Sequence, residues 1–65
     1  EYDKNVDTAY IYFKEIEDGE VAKTISLNDS VNIDLDKDGK TLGIEIIDAI
    51  KHLPASAIKS AVIIE

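Results

Sequence analysis

Residues 31–47, VNIDLDKDGKTLGIEII, decide the fold. Val31, Ile33 and Leu35 alternate with Asn32, Asp34 and Asp36, the period of an extended strand with one apolar and one solvated face. Asp38-Gly39 then supplies hairpin-turn chemistry, because Gly takes positive φ at little cost. Residues 42–48, LGIEIID, return with the same alternation. A two-residue loop sets Leu35 against Leu42, Ile33 against Ile44 and Val31 against Ile46. All six apolar side chains then fall on one face, so pattern and turn agree.

Working outward toward the N-terminus, residues 8–16 (TAYIYFKEI) are rich in β-formers and alternate. Ala9, Ile11 and Phe13 share one face; Tyr10, Tyr12 and Lys14 share the other. Glu17-Asp18-Gly19 reads as a turn, and residues 21–27 (VAKTISL) as the next strand. Paired as a hairpin with a three-residue loop, Ile11 faces Ile25 and Ala9 faces Leu27. A two-residue loop puts Tyr12 opposite Ile25 instead. Asn28-Asp29-Ser30 is a short polar turn.

Beyond Ala49 the period changes. Leu53, Ala57, Ile58 and Ala61 fit helical spacing, and Pro54 suits a first helical position, where its missing N–H costs nothing. A short helix is expected around residues 54–61. The tail Val62-Ile63-Ile64 is too apolar to hang in water and is read either as a strand or as cover for a partner. The expected fold is α+β: a single domain over residues 1–65, a small antiparallel four-stranded β-meander of two hairpins with a short C-terminal helix on its inner face.

The 65 residues bound what such a domain can do. A chain of this size buries only about 60% of its unfolded surface, so small domains often add a disulfide, a metal or a second subunit. The chain has no Cys and one His, which removes disulfides and argues against zinc or iron–sulfur sites. Self-association is the staple that remains, and a homo-oligomer, dimer or higher, is expected. The formal net charge is -7, and every basic residue is Lys. Nucleic acid and anionic membrane surfaces both call for clustered positive charge, so neither is an expected partner. An acidic surface suits solubility, and it also suits a basic protein partner. No long apolar run or signal peptide is present, and a cytoplasmic location is expected. The chain opens at Glu1 and holds no Met, so the natural start is expected upstream.

One motif invites a metal reading. Asp34, Asp36, Asp38, Gly39 and Glu45 satisfy the D-x-D-x-D-G-x5-E pattern of a calcium loop. Helices should flank such a loop, whereas these flanks alternate with period two. Thr41 stands where those loops carry a branched apolar residue, and Leu42 where they carry a polar one. The pattern therefore reads as a hairpin with acidic outward positions, and no metal site is expected. A weaker version stands beside it: Asp34 faces Gly43, Glu45 lies diagonal to Asp34, and Asp36 is two residues along. Three carboxylates within about 7–8 Å are weak candidates for holding a divalent cation loosely.

His52 is the only histidine, with Ser56 four residues on, but no orienting acid accompanies them. There is no Gly-rich phosphate loop, and so short a chain offers no deep cleft to raise a carboxyl pKa. Neither catalytic residues nor a cofactor are expected, and the domain is read as non-enzymatic. Tyr10, Tyr12 and Ile47 put apolar surface on the outer sheet face. With Ile63 in the tail, they are the candidate interface residues.

Tyr2-Asp3, the run Asp7-Thr8-Ala9-Tyr10-Ile11, the hairpin residues 31–39 and the run Gly43-Ile44-Glu45-Ile46-Ile47-Asp48-Ala49 together resemble DUF2283, a family of small prokaryotic proteins of unknown function. The likeness runs from about Tyr2 to Leu53. It implies no catalytic residues, and it makes the acidic hairpin look like a fold signature. Gly43 is then a point of close approach by a ring or backbone, or a bulge. Ser30 stands where relatives suggest Gly, which leaves the preceding turn open. Four functions remain: a self-associating interaction module, an antitoxin-like partner of a small basic toxin, a weak divalent-cation binder and, last in order, a small hydrolase using His52.

Overall fold

The computed structural model describes residues 1–61 and the backbone of Ile63–Ile64. The strands are β1 (Tyr2–Asp3), β2 (Thr8–Tyr12), β3 (Lys23–Ser26), β4 (Val31–Leu35), β5 (Thr41–Ile47) and β6 (Ile63–Ile64). The helices α1 (Ala49–His52) and α2 (Ala55–Ser60) follow β5. The sheet order is β3-β4-β5-β2-β1-β6. β1 to β5 pair antiparallel, and β6 joins β1 in parallel. The class is α+β as expected, with more strands than four and two short helices rather than one.

The β4–β5 hairpin forms with Val31 opposite Ile46, Ile33 opposite Ile44 and Asp34 opposite Gly43. Its turn is not the expected two-residue loop. Asp36 N–H donates to Lys40 O (2.9 Å) and Gly39 N–H to Asp36 O (3.0 Å), with Gly39 at φ 81°. This is a three-residue loop, 37–39, ending in a left-handed Gly. It shifts the pairing by one, so Leu35 meets Thr41, not Leu42. A bulge at Leu42 then restores the register. The two irregularities cancel, which is why the alternation predicts the pairs beyond them.

The first hairpin does not form in either expected register. β2 pairs with β5, Ile11 opposite Ile44 and Ala9 opposite Ile46, while β3 pairs with β4 on the far side. In this position β2 is hydrogen-bonded along both edges, and Ala9 becomes buried. A β2–β3 hairpin would have kept its loop short but left that apolar segment nearer the sheet edge. Segment 13–22 becomes a crossover instead, pinned by the Lys14–Glu20 ion pair and a Glu20 N–H to Glu17 O bond (3.1 Å).

The core is small. Tyr2, Ala9, Ile46 and Ala49 form its buried center, with Val31, Ile44, Leu53, Ile58 and Ala61 packed around it. The helix expected around 54–61 is present as α2, with Pro54 at its N-cap rather than first helical position. α1 adds a turn that the sequence did not signal. Val62 lies outside the described residues, as do the side chains of Ile63 and Ile64.

Candidate functional site

Opposed residues of an antiparallel pair share a face, so the register sorts the sheet into two surfaces. On the polar face, Thr24, Asp34, Gly43 and Tyr12 lie in one row across β3, β4, β5 and β2. Ser26, Asn32, Glu45 and Tyr10 form the next. Tyr10 leans diagonally over Gly43, and its hydroxyl donates to Asp34 Oδ2 (2.6 Å). Thr24 Oγ1 donates to Asp34 Oδ1 (2.6 Å). A Cβ on Gly43 would lie 2.6 Å from Tyr10 Oη, so only Gly leaves room for the ring. Partial burial first, then the bond to Asp34, pushes the Tyr10 phenol well above the ordinary tyrosine range. Tyr12 packs against it with ring centroids 4.5 Å apart, and burial and a bond to Glu1 raise its pKa.

Of the cation candidates, Asp34 is held by Tyr10 and Thr24, while Glu45 Oε1 accepts from Asn32 Nδ2 (2.9 Å). Asp36 Oδ1 accepts the N–H groups of Asp38 and Lys40, both at 2.9 Å, and these bonds, led by that from Lys40, lower its pKa. Each carboxylate is directed to its own donors. Among the described residues, no three acidic or histidine side chains gather around a common point suited to a metal.

His52 ends α1, exposed, with Nε2 2.8 Å from the Ser30 hydroxyl. The hydroxyl beside it is therefore Ser30, 22 residues away, and not Ser56. This bond ties the turn before β4 to α1.

Asp7 was not singled out by its sequence. It adopts φ 51° and, from the loop between β1 and β2, links β1 to α1. Its Oδ1 accepts from the Tyr2 hydroxyl (2.7 Å) and the Ile50 N–H (3.1 Å), and its carbonyl accepts from the Ala49 N–H (3.0 Å). Asp48, the α1 N-cap, makes no side-chain cap, so Asp7 does this work from across the fold. The bond to Asp7 is the leading cause that raises the Tyr2 pKa.

Of the candidate interface residues, Tyr10 and Ile47 are half-buried and Tyr12 is 49% exposed. The side chain of Ile63 lies outside the described residues. On the opposite face the row Tyr2, Ala9, Ile46, Val31 lies in the core with Leu53, Ile58 and Ala61, Ile44 packs against it, and Leu42 is buried as well. Ile11, Phe13 and Ile25 remain 45%, 60% and 41% exposed.

These features define a small α+β sheet domain with one buttressed polar face and one half-covered apolar face. A family model described as "Protein of unknown function (DUF2283)" matches residues 1–49, and the chain belongs to that family. The match takes in β1 to β5, the Tyr10–Asp34–Gly43 arrangement and the Asp7–Ala49 bond, and it stops before α2. No curated protein and no solved structure matches the chain. Among the described residues, no helix is long and apolar enough to cross a membrane.

Proposed function

We propose that this domain is a non-enzymatic interaction module that associates with a second copy of itself. The observation that carries this is the mismatch between its core and its surface. Among the described residues the buried hydrophobics are Tyr2, Ala9, Leu42, Ile46 and Ala49, while Ile11, Phe13, Ile25 and Leu27 stand at least 41% exposed. A domain with so little interior gains stability by burying apolar surface between subunits. Sedimentation velocity across the micromolar range tests it: the weight-average mass is expected to rise with concentration. A folded monomer throughout would remove the proposal.

A second reading, a small basic partner, is favoured by an open groove of about 270 Å³ lined by Glu1, Asp3, Val6, Thr8, Tyr10 and Glu45. Three carboxylates beside an aromatic ring suit a lysine or arginine side chain. The two readings differ in salt response. Salt weakens attraction to a basic partner, and it relieves repulsion between two chains that each carry -7. The weak cation reading has less support, because Asp34, Asp36 and Glu45 already accept bonds from separate donors. Heat on calcium titration of the whole chain would revive it.

A further inference from the structure

We infer that Asp18-Gly19 is a site of spontaneous backbone modification, where Asp18 isomerises to isoaspartate while the fold protects the matching pair Asp38-Gly39. The chain holds two Asp-Gly pairs, and both sit in exposed turns. Their glycines share a left-handed backbone, φ 79° at Gly19 and φ 81° at Gly39. Space does not separate them either, since a Cβ at either glycine would meet nothing within 4 Å. A glycine after an aspartate leaves its own amide nitrogen open to the aspartate side chain, so both pairs carry the same intrinsic chemistry. Hydrogen bonding is what distinguishes them.

The Gly19 nitrogen attacks Cγ of the protonated Asp18 carboxyl. An N–Cγ bond forms, the Cγ–OH bond breaks, and the hydroxyl leaves as water with the amide proton. The product is a cyclic imide. Water then adds to the Asp18 main-chain carbonyl carbon, the original peptide C–N bond breaks, and the nitrogen takes up a proton. The chain now runs through Cγ, and the α-carboxyl is free. Mass and charge are unchanged, because one water leaves and one returns.

Attack requires the Asp–Gly peptide plane to swing until its nitrogen faces Cγ. In the loop 37–39 that plane is held. Gly39 N–H donates to Asp36 O (3.0 Å), and the N–H groups of Asp38 and Lys40 donate to Asp36 Oδ1, both at 2.9 Å. The swing breaks the first of these bonds and pulls on the others, and one lost hydrogen bond is worth about fivefold in rate. The turn at Asp18 is closed differently. Glu20 N–H donates to Glu17 O (3.1 Å), and Glu17 N–H donates to Glu20 Oε1 (3.0 Å). Both bonds lie outside the Asp18–Gly19 peptide. Among the described residues, the N–H groups of Asp18 and Gly19 meet no acceptor and are left to water. The central peptide of such a turn flips with the closing bond intact.

Location sets the consequence. The added main-chain atom falls in the crossover between β2 and β3 and in no paired strand position, so the sheet survives the change. At Asp38 it would break the loop that the bulge in β5 compensates.

The test is prolonged incubation of the whole chain at neutral pH, folded and in urea, with isoaspartate located by peptide mapping and electron-transfer fragmentation. The folded chain is expected to isomerise at residue 18 at least about fivefold faster than at residue 38, and the two rates are expected to agree within about twofold in urea, where no loop is held. Asp36→Ala is expected to raise the rate at residue 38 and leave that at residue 18 unchanged. Should circular dichroism show that D36A has lost its sheet, the wild-type comparison between folded and unfolded chain decides alone. Equal rates at the two sites in the folded chain, a faster rate at residue 38, or no isoaspartate at residue 18 overturns the proposal. So does a folded D36A chain with residue 38 still protected.

Discussion

Gly43 carries no side chain because the Tyr10 ring occupies that space. Gly43→Ala drives a methyl into the ring and is expected to cost about 1–3 kcal/mol, the usual range for overpacking. Tyr10→Phe keeps the ring and loses only the bond to Asp34, which Thr24 still holds, so a smaller cost of about 1 kcal/mol is expected. Urea unfolding of the two variants checks that order, and a G43A chain as stable as wild type would contradict the packing. Asp7 is a second such position. Asp7→Ala removes the acceptor for Tyr2 and Ile50 and strains a left-handed backbone, whereas Asp7→Asn keeps an oxygen and tolerates positive φ. Amide exchange at Ile50 is expected to quicken in D7A and to stay near wild type in D7N.

The β4–β5 hairpin depends on two cancelling defects, a three-residue loop and a bulge. Asp36 organises the loop by accepting two backbone N–H groups, and they hold its pKa below the ordinary carboxylate value. A depressed folded pKa means that the unfolded chain binds the proton more readily. Its stabilising contribution is therefore full above the unfolded value and is lost as pH falls through the folded one. The urea midpoint of the wild type is expected to drop on acidification through and below the ordinary aspartate range. Asp36→Ala is expected to show a lower midpoint at neutral pH and a shallower acid dependence. Identical slopes in the two proteins would place the acid sensitivity elsewhere. At the same scale, α1 is one turn long and begins on a remote aspartate, so α1 depends on the loop between β1 and β2.

For the molecule as a whole, the balance between core and surface governs behaviour. If folding and association are linked, the melting temperature rises with protein concentration, because a second copy that binds only the folded chain stabilises it by mass action. A rise is expected over the micromolar range, larger at high salt than at low. A melting temperature independent of concentration at both salts would count against the association. A charged surface and a sparsely filled interior are compatible because the acids occupy loops and the polar face, leaving one apolar face with more surface than two short helices cover.

The hairpin of residues 31–47 and the sorting of its side chains were legible in period-two alternation, which is local, whereas the three-residue loop and the bulge that compensates it were not. The family likeness was legible for the same reason: its signature lies in contiguous strings. The partner of β2 was decided only in three dimensions. Thr8–Tyr12 carries apolar side chains that either of two neighbours would satisfy, and the choice turned on being bonded along both edges beneath the helices. The Tyr10–Asp34, Ser30–His52 and Asp7–Ile50 bonds join residues 24, 22 and 43 positions apart. No local pattern encodes such bonds, because they exist only once strand order brings their atoms together.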